Sequence, residues 1–570
     1  MKTFAIHCLA RMGFGHKISN NSSDVADFEA LGNTNDERLS AYLTQQLNWN
    51  SINDSAFDNM VAAENYITLG KPLLQMWQDH HVNSSQSGFN RDAPAEEMER
   101  LAVARALYSK RQLLEVLADF WHNHFNIYSR DYYAQSTLTS WDRDVIRPPI
   151  SGHPRPIENI NGHMLGNFRQ MLELSSKHIA MQHYLDNYIN QVGSPNENYA
   201  REMMELHTLG AENYVSLGDP NSINQTDIPM PWGTNGADID VTISDQYVDD
   251  DVYSAMRMMT GWKIKDSTSS SSSNNQDTGE FYFYEPWHDT FEKTILGNQW
   301  GNFSSNPEDI DQFLDILAYH PGTSRHIAGK LCKRFISDNP SQTVIDAVAN
   351  TFYQNRYAAN QLEMVYQTLF LSAEFKDPNN FNKKLKRPFE SIVGSMRAAG
   401  SDFMPKQNDS DTNSIVTYYL QRSGQRPFIW PSPDGFPDEK EFWSGGTTLV
   451  YIMRFYDWML DRNYNTSDRI VPMLEITLNA SNADLPSHSP DDLTTFWMNR
   501  IIGYEPNGGW LGTDLHTKLR DFMRQNSSDP QQWPADFPFP DISTLSSPYI
   551  YERLRGLIKL ILSTPEFLYR

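Results

Sequence analysis

The chain has 570 residues, 39% hydrophobic and 21% charged, an ordinary globular balance with length for two to four lobes of about 100–200 residues. A formal net charge of -24 opposes phosphate backbones and anionic bilayers, which argues against nucleic acid as a partner, and no apolar run approaches the roughly 20 residues of a membrane span. Two cysteines, Cys8 and Cys332, exclude a disulfide framework and a cysteine-rich zinc site and read as isolated buried thiols, with a single bridge between them as the alternative.

In chain order, Met1–His16 ("MKTFAIHCLARMGFGH") reads as the first helix of the body. Its apolar stretch is broken by His7 and Arg11 and lacks a small-residue cleavage site, so an export signal would have to lie upstream. Apolar spacing at a 3.6-residue period predicts helices over Leu101–Tyr108 and Leu113–Phe125. On the second, His124 shares the apolar side with Leu113, Leu117 and Trp121. His122 falls on the polar side beside Glu115 and Asp119. A regular helix therefore points the two histidines apart. A His122/His124 pair on one divalent metal would need the segment to extend past Trp121; the other reading is structural hydrogen bonding. "PPISGHPRP" (Pro148–Pro156) is a turn region.

The segment Ser194–Leu209 predicts the helix richest in chemistry. Ser194 suits the N-cap, Pro195 the first turn and Glu197 the capping box, with Gly210 as terminator. One arc carries Glu197, Asn198, Arg201, Glu202 and Glu205, as a Glu-Arg-Glu ladder. The other carries Tyr199, Met203, Met204, Leu206 and His207. Glu202 and Glu205 suit an acid–base pair or metal ligands; a salt-bridged solvated face is the alternative. His207 is a buried ligand or base, or a core histidine.

Polar stretches near 218–251 and 266–277 read as surface insertions. Asp250–Trp262 predicts a helix, and "FYFY" (Phe281–Tyr284) is expected to pair with "KTIL" (Lys293–Leu296) as a small hairpin. Between them His288 and Asp289 form an adjacent pair on a loop, either a functional pair or a turn cap. Helices follow over Gln312–Ala318 and, after His320 and its Pro-Gly turn, over Ser324–Phe335 with Arg325 and Lys330. "LFLSAEF" (Leu369–Phe375) and "LILSTPEF" (Leu560–Phe567) read as a recurrent helix-ending turn. "PSPDGFP" (Pro431–Pro437) is a turn cluster and Thr447–Leu460 a last clear helix. The fold class is mainly α, a multi-helix globular body with one small β hairpin: a main part over 1–430 and a C-terminal helical part over 431–570 packed on it. No Walker loop, GxSxG elbow, HExxH or post-strand GxGxxG is present.

Several of these stretches together resemble the domain of unknown function 1800 family: "HCLARMGFGH", "LADFWHNHFNI", "NENYAREMMELHTLG", "WHDTFEKTILG" and "GQRPFIWPSPDGFP" among them. The resemblance implies a helical bacterial protein, exported to the periplasm or beyond in many members. It also implies a neighbour in the domain of unknown function 1501 family, which looks like the alkaline phosphatase and sulfatase superfamily. No activity comes with it. This sequence departs from the pattern in showing no export signal and in its polar insertions.

Two expectations follow. The first is an acid–base or metal-assisted hydrolase on a glycan-like or other polar polymer. Glu202 or Glu205 would be the base, His288 with Asp289 the acid, and Arg201 would hold the acidic pair ionised. His207 would lie close by, and His122 or His124 would hold any divalent metal. The second is a non-catalytic binding or assembly protein working with the phosphatase-like neighbour, its polar residues a buried packing network. Convergence of the three segments on an open cleft is what separates them.

Overall fold

The computed structural model describes residues 3–19, 22–149, 162–216, 222–266, 277–301, 307–462, 469–503, 509–525 and 548–570. Residues 150–156 of the turn region and 267–276 of the polar stretch lie outside them.

Helices dominate, and their ends follow local chemistry. Thr3, Asn167, Ser341, Ser489 and Thr513 each cap a helix by accepting a backbone N–H, and Thr34 with Glu37 forms a full capping box. Every predicted helix is present, usually within a longer one. Leu101–Tyr108 lies in Ala93–Tyr108, and Leu113–Phe125 is Gln112–His124. Gln312–Ala318 lies in Pro307–Tyr319, Ser324–Phe335 in Pro321–Phe335, and Thr447–Leu460 in Gly446–Asp461. The first helix is Phe4–Arg11. Their apolar faces meet in a main core running from Ala5 to Leu568, with Trp121, Trp141, Trp262, Trp443 and Trp497 fully buried in it, and a small second cluster joins Leu73, Trp77, Ile179 and Ile264.

The strands depart from expectation. Among the described residues there are four two-stranded antiparallel ribbons. Phe281–Phe283 pairs with Trp262–Ile264, not with Lys293–Ile295, which pairs with Asn298–Trp300. The helix expected to reach Trp262 is Asp249–Met258, and Gly261 at φ +80° turns the chain into the strand. The second ribbon closes on Leu296-Gly297, both at positive φ, a two-residue turn that leucine disguises in the sequence. The polar stretch near 218–251 supplies another ribbon, Gln225–Met230 with Ile239–Ser244, laced by Thr226–Asp245 and Thr242–Asp227 side-chain bonds of 2.7 Å.

A buried ionic network ties distant stretches together. Glu390 pairs with Arg334, Arg387 and Arg570, and Asp119 with Arg334 and Arg387. Cys8 and Cys332 are free and fully buried; burial pushes the Cys8 thiol well up and the Cys332 thiol up to about 12. Among the described residues no helix is long and apolar enough to cross a membrane.

Candidate functional site

The end of the Gln112–His124 helix is the hub. Phe125 leaves helical geometry, so the side chains of His122 to Asn126 fan outward to three parts of the chain. His122 Nε2 bonds Asp142 at 2.9 Å, and the His124 Nε2–H donates to the His207 carbonyl at 3.2 Å. Asn123 donates to the Phe436 carbonyl at 2.8 Å and accepts from its N–H at 2.6 Å. Asn126 donates to the carbonyls of Trp430 and Ser432 at 3.0 and 2.7 Å. The "PSPDGFP" turn is thus laid against this helix end. Gly435, at φ +75°, lies so close to the Asn123 carbonyl that no side chain fits.

The neighbouring helix starts later than expected. Ser194 closes a tight turn with Gln191, Asn196 caps the Asn198 N–H at 3.0 Å, and the α-helix runs Asn198–Glu202. It then widens into a π-helix over Met203–Thr208 before Gly210, at φ +90°, ends it. The Glu197–Arg201 rung forms at 2.6 Å. The Arg201–Glu205 rung does not, because the π segment turns Glu205 off the α-helical spacing; Arg201 reaches Asp249 at 3.2 Å instead. The apolar arc is as read from the spacing: Tyr199, Met203, Met204 and His207 are buried, while Glu202 and Glu205 are half-buried.

The charges of two other carboxyls, Glu205 on the same helix and Asp434 in the turn, reach Glu202. Burial first, then the charges of Glu205 and Asp434, push the Glu202 carboxyl up to about 7, against the pull of Arg201. Asp434 is exposed and accepts from Trp430 Nε1 at 2.8 Å, and the Tyr184 hydroxyl donates to the Pro431 carbonyl at 2.8 Å. Half-buried Lys330, facing Asp438, Asp434 and Glu212, is lowered by burial to about 8. One turn earlier on the same helix face, His326 bonds Glu212 at 3.0 Å and the Leu206 carbonyl at 3.2 Å.

The other expected residues go elsewhere. His207 is sealed in the core; burial, then Lys330 and His326, lower it to about 3, and neither ring nitrogen has a partner among the described residues. His124, equally buried, is held well below the ordinary imidazole range by burial, Lys330 and the neighbouring histidines. His288 bonds the Thr260 carbonyl at 2.8 Å, and Asp289 holds Arg257 through two bonds of 2.8 and 3.1 Å. Neither takes a partner on the Asn198–Thr208 helix, so the His-Asp pair fixes the ribbon region and does not join the carboxyls. His122 and His124 leave their helix on different sides, one towards Asp142 and the other towards His207, and this does not fit one shared metal. Among the described residues no group of three or more His, Cys, Asp and Glu side chains is arranged to hold a metal.

Sequence reasoning missed Asp142, Tyr184, Glu212, His326, Trp430 and Asp434. His326 and Lys330, four apart on one helix, carried a visible signal. Asp142 and Asp434 carried none, since only the fold brings them to the hub. His122 also lines a cavity of about 60 Å³ beneath Phe428 and Phe436, with Arg105, Asp142 and Arg147 on its polar side.

A family model described as "Protein of unknown function (DUF1800)" matches residues 7–569. No curated protein and no solved structure matches the chain. With nearly its whole length matched, the chain belongs to the DUF1800 family.

Proposed function

We propose that this protein is an acid–base enzyme of the hydrolytic kind, acting on a glycan-like or other polar polymer at the face around Glu202, Glu205 and Asp434. The three segments do not converge, since His288 and Asp289 are held by Thr260 and Arg257, so the reading rests on a narrower observation, a half-buried carboxyl raised to about 7 that feels two other carboxyls. That arrangement keeps one group protonated near neutrality as a proton donor, while a neighbour acts as the complementary base. Trp430 and Tyr184, half-buried beside the carboxyls, supply flat faces of the kind that sugar rings stack against. Lys330, whose charge reaches Asp434, offsets part of the negative charge there. The family resemblance supports an exported, periplasmic or secreted, place of work.

The test is release of new chain ends from a panel of soluble polysaccharides by the full chain, followed with pH. Turnover should fall above about pH 7 as Glu202 loses its proton, and Glu202→Gln should lower it by roughly 10²–10⁴-fold with the substrate still bound. Turnover that Glu202→Gln leaves intact defeats the assignment.

A second reading has its own support. His124, Asn123 and Asn126 spend their hydrogen bonds on holding chain segments, as the parts of a scaffold do. Under it the protein is a non-catalytic binding or assembly partner of a phosphatase- or sulfatase-like protein of the second family. A stable complex with that neighbour on co-expression, unaffected by Glu202→Gln and without turnover, would favour it.

A further inference from the structure

The polar capacity around the His122 cavity is nearly all committed. Asp142 accepts from His122 at 2.9 Å, from Arg105 at 2.9 Å and from Arg147 at 2.9 and 3.0 Å. Glu115 takes both Arg147 Nη atoms at 3.0 and 2.6 Å, and Asp119 takes Arg334 and Arg387. Charges paired this fully leave nothing uncompensated to hold an ion. Around Asp142, two groups keep capacity in hand. Burial alone would raise Asp142, but Arg147 and Arg105 outweigh it and keep the carboxylate ionised, so it only accepts. His122 Nε2 therefore carries a proton, and in the neutral ring Nδ1, which has no hydrogen-bond partner among the described residues, presents a lone pair. Arg105 gives Asp142 one Nη1 bond and keeps further N–H donors.

An acceptor and a donor anchored on one carboxylate match a hydroxyl group, which donates one hydrogen bond and accepts another. The remaining wall sets the rings of Phe389, Phe428 and Phe436 beside the amides of Asn123, Asn126 and Gln425. Phe428 is held at φ +61°, a conformation that bulky residues avoid, with its ring centre 4.8 Å from that of His122. The Ser129 N–H grips the Phe428 carbonyl at 2.8 Å and fixes it there. Strain of this kind persists only where the surroundings enforce it, and it collects at ligand clamps.

We propose that this cavity binds the hydroxyl-bearing end of a neutral polar molecule, a polyol or a sugar. His122 Nδ1 accepts from the hydroxyl, Arg105 donates to it, and Phe428 covers the carbon body. Water-accessible space of about 60 Å³, several times what one water needs, admits such an end. The proposal uses none of the three carboxyls and stands apart from the acid–base reading.

Glycerol serves as the probe, on the full chain labelled with ¹⁵N-histidine, with the His122 signals identified by their loss in His122→Gln. The free protein should show the Nε2–H tautomer. Glycerol should shift the Nδ1 resonance saturably, in the parent and in Glu202→Gln alike, while acetate should not. Phe428→Gly suits the left-handed backbone, so it keeps the fold, and it should weaken the response at least tenfold. An Nδ1–H tautomer, a linear shift that acetate reproduces, or a folded Phe428→Gly protein with an undiminished response would overturn the proposal.

Discussion

His207 illustrates what a single buried polar residue does to this protein. Its imidazole is buried and finds no hydrogen bond among the described residues, a penalty that an apolar side chain of similar size avoids. His207→Leu should therefore hold or raise the urea midpoint at pH 7; a drop of more than about 2 kcal/mol would show that the ring makes an interaction worth keeping. Gly435 is the reverse case. A Cβ there strikes the Asn123 carbonyl and must also accept φ +75°, so Gly435→Ala should cost about 2–4 kcal/mol, read from the same urea transition. The spacing of apolar residues placed His207 correctly on the buried arc, because a helical wheel needs only neighbours in sequence. It could not place Asp434 beside Glu202, since nothing local couples a turn to a helix so far away along the chain. For the same reason the loop pair His288-Asp289 looked like a partner of Glu202, whereas Arg257 and Thr260 had already claimed it.

At the level of elements, the short run from His122 to Asn126 acts as a clasp for the turn 425–438. Asn126 carries two of the bonds and Asn123 two more. Asn126→Ala should free two carbonyls at once, so amide exchange across 428–436 should quicken at least tenfold, with the Gln112–His124 helix still protected. Equal exchange in both proteins would mean that the turn holds itself. Local elements were legible wherever one rule governed them: the apolar period gave the helices, and Gly210 gave their most informative terminus. They were not legible where two rules competed. The π segment keeps the composition of an α-helix, and Leu296-Gly297 makes a tight turn from a residue that seldom tolerates positive φ.

Across the whole molecule, the buried imidazoles set the response to acid. Burial first, aided by nearby cations or other imidazoles, lowers His183 and His207 to about 3, and burial lowers His178 and His320 to about 4. In this window the unfolded chain binds protons that the folded one refuses. Stability is therefore intact above the ordinary imidazole value near 6.5 and is lost as pH falls towards the folded values. At pH 4.5 His183 and His207 should each remove about 2–3 kcal/mol. Glu202 has the opposite sign: its contribution is full below the ordinary carboxyl value and lost as pH rises towards 7, a smaller effect from one half-buried group. The urea midpoint should thus fall markedly from pH 7 to 4.5, and less so in His207→Leu; a flat midpoint contradicts the account.

One feature of the core turns into a measuring device. Both thiols are shut away from solvent and from each other, so no alkylating reagent can reach either until the body around it opens. The speed at which a maleimide reacts with the native chain is then a clock for opening. Cys8 on the first helix and Cys332 far along the sequence report from two places at once. If the main core opens as a unit, the two clocks should keep the same time.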